Sequence, residues 1–271
     1  DMDLLAPDEI LKTISEITPL RNNNILNLTL KKYDGLVYEK LQINSYTQNI
    51  SSLGIQHRNR KKFGQLYCSS CLSKKPYYKL NWRLETSIIC VDCKKYLKDR
   101  CPSCKSPISF YRINFNKKNV AIKEVYYCSF CLFDLRTINK ELEPSLEEID
   151  YQYYINTTIE KGFNEISNYS FTYIKILLLL CSKLNTSNSC NQFKINFNKL
   201  YNLEKTDTSD YFRFLPIEQK IKMLVNVNIF LRNWPNSFFE LKRLKHFNNS
   251  HITENMEKLP YWFTYYLKFD S

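Results

Sequence analysis

The sequence predicts a mainly α-helical protein with a short β region, and three observations predict it. Four C-x-x-C pairs fall close together, at Cys68/Cys71, Cys90/Cys93, Cys101/Cys104 and Cys128/Cys131. Beyond Arg136 the apolar residues recur at helical spacing. The 271 residues hold only four glycines and nine prolines, too few tight turns for a sandwich or barrel. A hydrophobic content of 44% supports packed cores and excludes a disordered chain.

The helical elements follow from local signals. Pro7 to Thr18 reads as a helix, with Pro7 in its first turn and Asp8 and Glu9 at its positive end. Ile10, Leu11, Ile14 and Ile17 make one apolar face, and Pro19 ends the run. Asn22 to Lys32 is a second short helical pattern, closed by a turn at Asp34-Gly35. The two together suit part of a helix-turn-helix unit or a helical hairpin that only packs. Tyr169 to Leu184 is apolar nearly all round and is expected at a core. Its most apolar stretch, Ile174 to Cys181, contains Lys175 and is too short to span a bilayer, so no membrane role is expected. Pro216 to Leu231 carries Ile217, Ile221, Leu224, Val225 and Asn228 on one stripe. Asn233-Trp234-Pro235 breaks it, and a further helix runs from Pro235 to about Phe247. These signals divide the chain into an N-terminal helical region (1–55), a tandem metal-ribbon region (56–137), an acidic linker (138–168) and a helical C-terminal domain (169–271).

The cysteine spacing carries the chemistry. A two-residue gap lets both sulfurs of a knuckle reach one ion at about 2.3 Å while backbone N–H groups turn toward the thiolates. Two knuckles complete a closed tetrahedral site, which is structural because a catalytic zinc keeps one exchangeable ligand. The expectation is two structural zinc ions, one on Cys68, Cys71, Cys90 and Cys93, the other on Cys101, Cys104, Cys128 and Cys131. This sequential pairing leaves loops of eighteen and twenty-three residues, and a cross-braced pairing stays open. A disulfide framework fits four repeated C-x-x-C units poorly, and a redox C-x-x-C would not recur four times. A zinc deaminase is excluded, since none of His57, His246 and His251 begins an H-x-E.

Charge points to an anionic partner. The net charge is +12, and from Ile55 to Lys105 thirteen Lys and Arg face only Glu85, Asp92 and Asp99. Part of that excess balances the metal centres, each of which carries a formal charge of about −2. His57, Arg58, Arg60, Lys61 and Lys62 form a basic arm suited to phosphates, or a solvated loop. Lys242, Arg243 and Lys245 end the last long helix, where they suit either nucleic acid or the helix dipole. From Lys140 to Glu165 seven acids face two lysines. No nucleophile–base pair, open metal site, phosphate loop or paired-carboxylate motif appears, so no chemistry is expected of the chain.

The run from His57 to Arg112 resembles the zinc-binding core of the TniQ family. It has a basic lead-in, Cys68-x-x-Cys71-Leu72, the pair Tyr77-Tyr78, Trp82-Arg83-Leu84 and a second knuckle. Leu97, Asp99 and Arg100 then precede Cys101-Pro102-x-Cys104 and Pro107-Ile108. Cys128 to Arg136 is similar to the family's closing knuckle, and Arg232 to Phe238 and Leu259 to Trp262 to its helical part. Cys93 stands where the family usually has His, and Lys105 where a glycine commonly follows C-P-x-C. An acidic, Trp-containing N-terminal segment is not visible, as expected of a chain beginning inside the first domain.

The resemblance implies a target-site selector of a multi-component transposon, made of helix-turn-helix and zinc-ribbon modules in a bacterial, nucleoid-associated cytoplasmic setting. Such a protein binds double-stranded DNA, or docks on a CRISPR RNA-guided effector complex. Either way it recruits a TnsC-like AAA+ ATPase. A free-standing zinc-ribbon DNA-binding regulator is the remaining alternative.

Overall fold

The structure is a computed structural model. It describes residues 2–5, 7–40, 49–51, 53, 55–56, 61–113, 124–137, 142–186, 191–203, 211–244, 247–253 and 258–268. The chain is mainly helical and divides into two compact units. The first comprises residues 1–34 and 38–153, the second residues 35–37 and 154–271. No helix among the described residues is long and apolar enough to cross a membrane.

The first unit opens with three short helices, α1 (Met2–Leu5), α2 (Asp8–Ile17) and α3 (Asn22–Leu26), and a 3-10 turn at Leu30–Tyr33. α2 begins directly after Pro7, as its sequence predicts, yet none of its residues is buried. Ile17 is 75% exposed and Ile10 40%. The expected second helix is cut short after Leu26, and the core here is made instead by Ile25, Leu30 and Tyr33.

The cysteine region follows. Strands β1 (Ile55–Gln56) and β2 (Lys61–Lys62) pair antiparallel. A six-residue helix, α4 (Ser69–Lys74), starts at Cys68, and β3 (Ile89–Cys90) pairs antiparallel with β4 (Lys95–Tyr96). Trp82, Arg83 and Leu84 are each 2% exposed, so this motif is interior structure. Backbone pairing of residues 49–51 with 83–85 fixes the segment: the Ser51 amide donates to the Arg83 carbonyl at 2.8 Å, and the Glu85 amide to Asn49 at 3.0 Å. The Arg83 guanidinium donates to the Ser51 carbonyl at 2.9 Å and lies 3.6 Å from the Asp3 carboxylate. Burial pushes its pKa below the usual arginine range, and Asp3 opposes that shift.

The span expected as an acidic linker contains a sixteen-residue helix, α5 (Leu146–Lys161). Ser145 caps it reciprocally with Glu148: the Ser145 amide donates to Glu148 at 2.7 Å, and the Glu148 amide to the Ser145 hydroxyl at 3.3 Å. Residues of α5 through Tyr153 belong to the first unit. There Gln152 Oε1 accepts the Ile88 and Ile89 amides at 2.7 and 3.1 Å, Tyr151 donates to the Thr86 carbonyl at 2.9 Å, and Tyr96 donates to Glu148 at 2.6 Å. The acids of this segment therefore include structural partners of the cysteine region.

The second unit is built on α6 (Ser170–Leu184), packed against α8 (Ile217–Arg232), with α7 (Gln192–Leu200), α9 (Asn236–Lys242), α10 (Asn249–Thr253) and α11 (Tyr261–Thr264) around them. α6 is central, as its apolar sequence predicts: Tyr173, Ile174, Ile176, Leu177, Leu180 and Cys181 are fully buried. The expected stripe on α8 is also buried, Asn228 included, because the Tyr173 hydroxyl donates to Asn228 Oδ1 at 2.9 Å. α9 ends at Lys242, before the predicted Phe247. Trp234 joins the two C-terminal motifs: it stacks on Phe263 with centroids 4.7 Å apart and meets Trp262 edge-on at 6.4 Å. The chain leaves α5 through Gly162, whose φ of +79° disfavours any side chain there.

Candidate metal centres

Three of the four knuckles share a hairpin construction. In each of the three the residue before the first cysteine pairs with the residue three beyond the second: Ile89 with Tyr96, Arg100 with Pro107, Tyr127 with Asp134. Each of these hairpins turns through a left-handed residue just after its second cysteine, Lys94 (φ 50°), Lys105 (φ 58°) and Leu132 (φ 61°). The Lys105 amide then closes on the Cys101 carbonyl, and the Leu132 amide on that of Cys128, both at 2.9 Å. The first knuckle differs, because Cys68 opens α4 while Tyr67 pairs with Lys98. In every knuckle the amide of the second cysteine donates to the sulfur of the first. Donors aimed at sulfur stabilise it as thiolate, the form that binds metal.

These knuckles bring the sulfurs together in sequential pairs. Cys68, Cys71, Cys90 and Cys93 form one group, and Cys101, Cys104, Cys128 and Cys131 another, with the sulfurs of each within 4.8 Å of one another. The cross-braced pairing is not the one adopted. Cys71 lies 3.4 Å from Cys90 and 3.5 Å from Cys93, while Cys101–Cys131 and Cys104–Cys128 are 3.7 Å apart. Four sulfurs placed at 2.3 Å around one ion would be separated by about 3.8 Å, so both groups fit a tetrahedral metal. A disulfide needs about 2.05 Å, and none of the nine described cysteines is in one. Cys181 stands apart, fully buried in α6 and behaving as a small apolar residue.

The thiols disturb one another as a metal site should. Cys90 is pushed down to about 5, chiefly by its hydrogen bond with Cys68, whose own pKa is pushed far up by the same bond. Burial raises Cys71 to about 12. In the second group burial opposes ionisation of Cys104, yet hydrogen bonds from the Ser106 hydroxyl and amide hold it down to about 7. Burial raises Cys101 and Cys128. Cys90 and Cys104 ionise readily while Cys68, Cys71, Cys101 and Cys128 resist, and a divalent cation among them would favour the thiolates.

Two supporting residues escaped the sequence reading. The Lys79 ammonium, paired with Asp92 of the second knuckle, favours ionised Cys71 and Cys90. Ser106 does the same for Cys104. Lys79 lies outside the knuckles and only the fold brings it to sulfur, whereas Ser106, two residues past Cys104, is a local partner that the sequence could have signalled.

The proposed nucleic-acid residues are placed less completely. Lys61 and Lys62 form β2 in the first unit, while His57, Arg58 and Arg60 lie outside the described residues. Lys242 ends α9 in the second unit with its ammonium 5.7 Å from the Phe238 ring centroid. Arg243 is exposed, and Lys245 lies outside the described residues. The two basic sets belong to different units.

Fold and site together define a mainly helical protein with two tandem four-cysteine groups, each able to hold a metal ion. No protein-family model matches the chain, and no curated protein or solved structure is detectably similar to it.

Proposed function

We propose that the protein is a zinc-scaffolded DNA-binding adaptor of the TniQ type, which selects a transposition target and recruits an AAA+ regulator without doing chemistry itself. The observation that carries this reading is the arrangement of the eight cysteines as two closed groups in sequential order, the arrangement the motifs of residues 57–136 call for. All-thiolate tetrahedral sets suit zinc, and with no ligand position left open the ions serve as scaffold. The net charge of +12 supports an anionic partner, and the basic residues 57–62 lead directly into the first knuckle.

Metal analysis of the purified protein tests the scaffold and should find two zinc ions per chain. The DNA reading is tested by titrating duplex from the element's insertion site against scrambled duplex at near-physiological salt. Preference for the insertion-site duplex is expected. Equal affinity would remove sequence reading and favour the docked adaptor on an RNA-guided effector. One observation favours that second reading: the apolar face of α2, with Ile10 and Ile17 exposed, offers surface to a protein rather than to phosphates.

A further inference from the structure

The two cysteine groups are not equivalent toward solvent. In the first, Cys68, Cys71 and Cys90 are buried and Cys93 is half-buried. Tyr67, Leu72 and Ile89, beside its three buried ligands, are at most 3% exposed, while Asp92 and Lys94 beside Cys93 are exposed. In the second, Cys101 and Cys128 are buried and Cys104 is half-buried, but Cys131 is exposed. Beside it Phe130, inside the same knuckle, is 60% exposed. The outer edge of this hairpin thus carries a sulfur at the surface, within 3.7 Å of a buried partner sulfur, Cys101.

We infer that Cys131 is a site of oxidative modification by peroxides, through which the second metal centre, and not the first, is dismantled. This rests on the reading that both groups hold zinc. A thiolate reacts with peroxide according to its access and its nucleophilicity, and metal-bound sulfur that reaches solvent keeps both. The Cys131 thiolate attacks one peroxide oxygen, the O–O bond breaks, and sulfenic acid and hydroxide form. The Cys101 thiolate then attacks the sulfenic sulfur, forming the S–S bond and expelling a second hydroxide. Two thiolates have lost one electron each, and peroxide has gained both. The hairpin Tyr127–Asp134 must shift to bring the sulfurs from 3.7 Å to the bonded distance of about 2.05 Å. Cys104 and Cys128 remain, too few to retain the ion. In the first group three ligands are buried and Cys93 is half-buried, so no sulfur there is as accessible to the oxidant as that of Cys131.

The full-length protein, with its zinc content measured first, is treated with hydrogen peroxide beside a colorimetric zinc chelator. One of two equivalents should appear in a fast phase, the second at least about tenfold more slowly. Differential alkylation and mass spectrometry should find Cys101 and Cys131 oxidised while Cys68, Cys71, Cys90 and Cys93 remain reduced. Cys131→His keeps a metal ligand and removes the exposed thiolate. It should bind two zinc ions and lose the fast phase, whereas Cys93→His should retain it. Simultaneous release of both equivalents, earlier oxidation of the first group, or an unchanged fast phase in Cys131→His would overturn the inference. Fewer than two zinc ions before peroxide is a different failure, which overturns the metal reading and this inference with it.

Discussion

Single residues in the knuckles show how much of the site is backbone geometry. Lys94, Lys105 and Leu132 occupy left-handed conformations immediately after a cysteine, where glycine would carry no steric cost. The penalty for an L-residue there is about 1–2 kcal/mol, and glycine returns about 0.4–1 kcal/mol of it through the freer unfolded chain. Lys105→Gly should therefore stabilise the metal-bound protein by about 0.5–1 kcal/mol, measured by denaturant titration at constant zinc. Cys93 is the second informative residue, the one half-buried member of the first cysteine group. Imidazole nitrogen binds zinc at about 2.0–2.1 Å, so Cys93→His should keep two metal ions per chain while Cys93→Ser keeps one. Metal analysis after gel filtration distinguishes them.

At the scale of elements, identical apolar periodicity led to opposite outcomes. The stripe on α8 is buried against α6, and its one polar member, Asn228, accepts the buried Tyr173 hydroxyl. The stripe on α2 has no buried member: Ile10 and Ile17 are exposed, Leu11 and Ile14 half-buried. Periodicity says which residues share a face, but burial depends on another element arriving to cover it. Asn228→Ala should cost about 0.5–1.5 kcal/mol, because it removes the buried hydrogen bond from the Tyr173 hydroxyl. Ile17→Glu should change stability by less than about 0.5 kcal/mol. Thermal melts of the two variants beside the parent protein check the contrast. α5 makes a related point. Its acids suggested a linker, yet Glu148 and Gln152 are hydrogen-bonded to the cysteine region over intervals of more than fifty residues. Charge density in a sequence does not reveal such partners.

For the whole molecule, the division into two units separates two sources of stability. The first unit has small helices, two-residue strands and metal groups that would each contribute about 10–16 kcal/mol of apparent binding free energy. The second has its own aromatic and aliphatic core around Tyr173, Leu177, Phe230 and Trp234, and no metal-binding group among its described residues. Strong chelation should therefore expose amides throughout residues 61–113 and 124–137 while α6 and α8 keep their protection, as hydrogen exchange with mass spectrometry would show. Equal loss of protection in both units would count against separate cores. The sequence by itself determined the eight paired cysteines able to hold metal, the central place of α6 and the stripe on α8, since each depends on local spacing and side-chain chemistry. Only the tertiary structure decided which knuckles join, that Lys79 supports the sulfurs, that no α2 residue is buried and that Cys131 is exposed while Cys93 and Cys104 are half-buried. Those facts depend on residues distant in the chain meeting in space, and burial and sulfur geometry exist only once they have met.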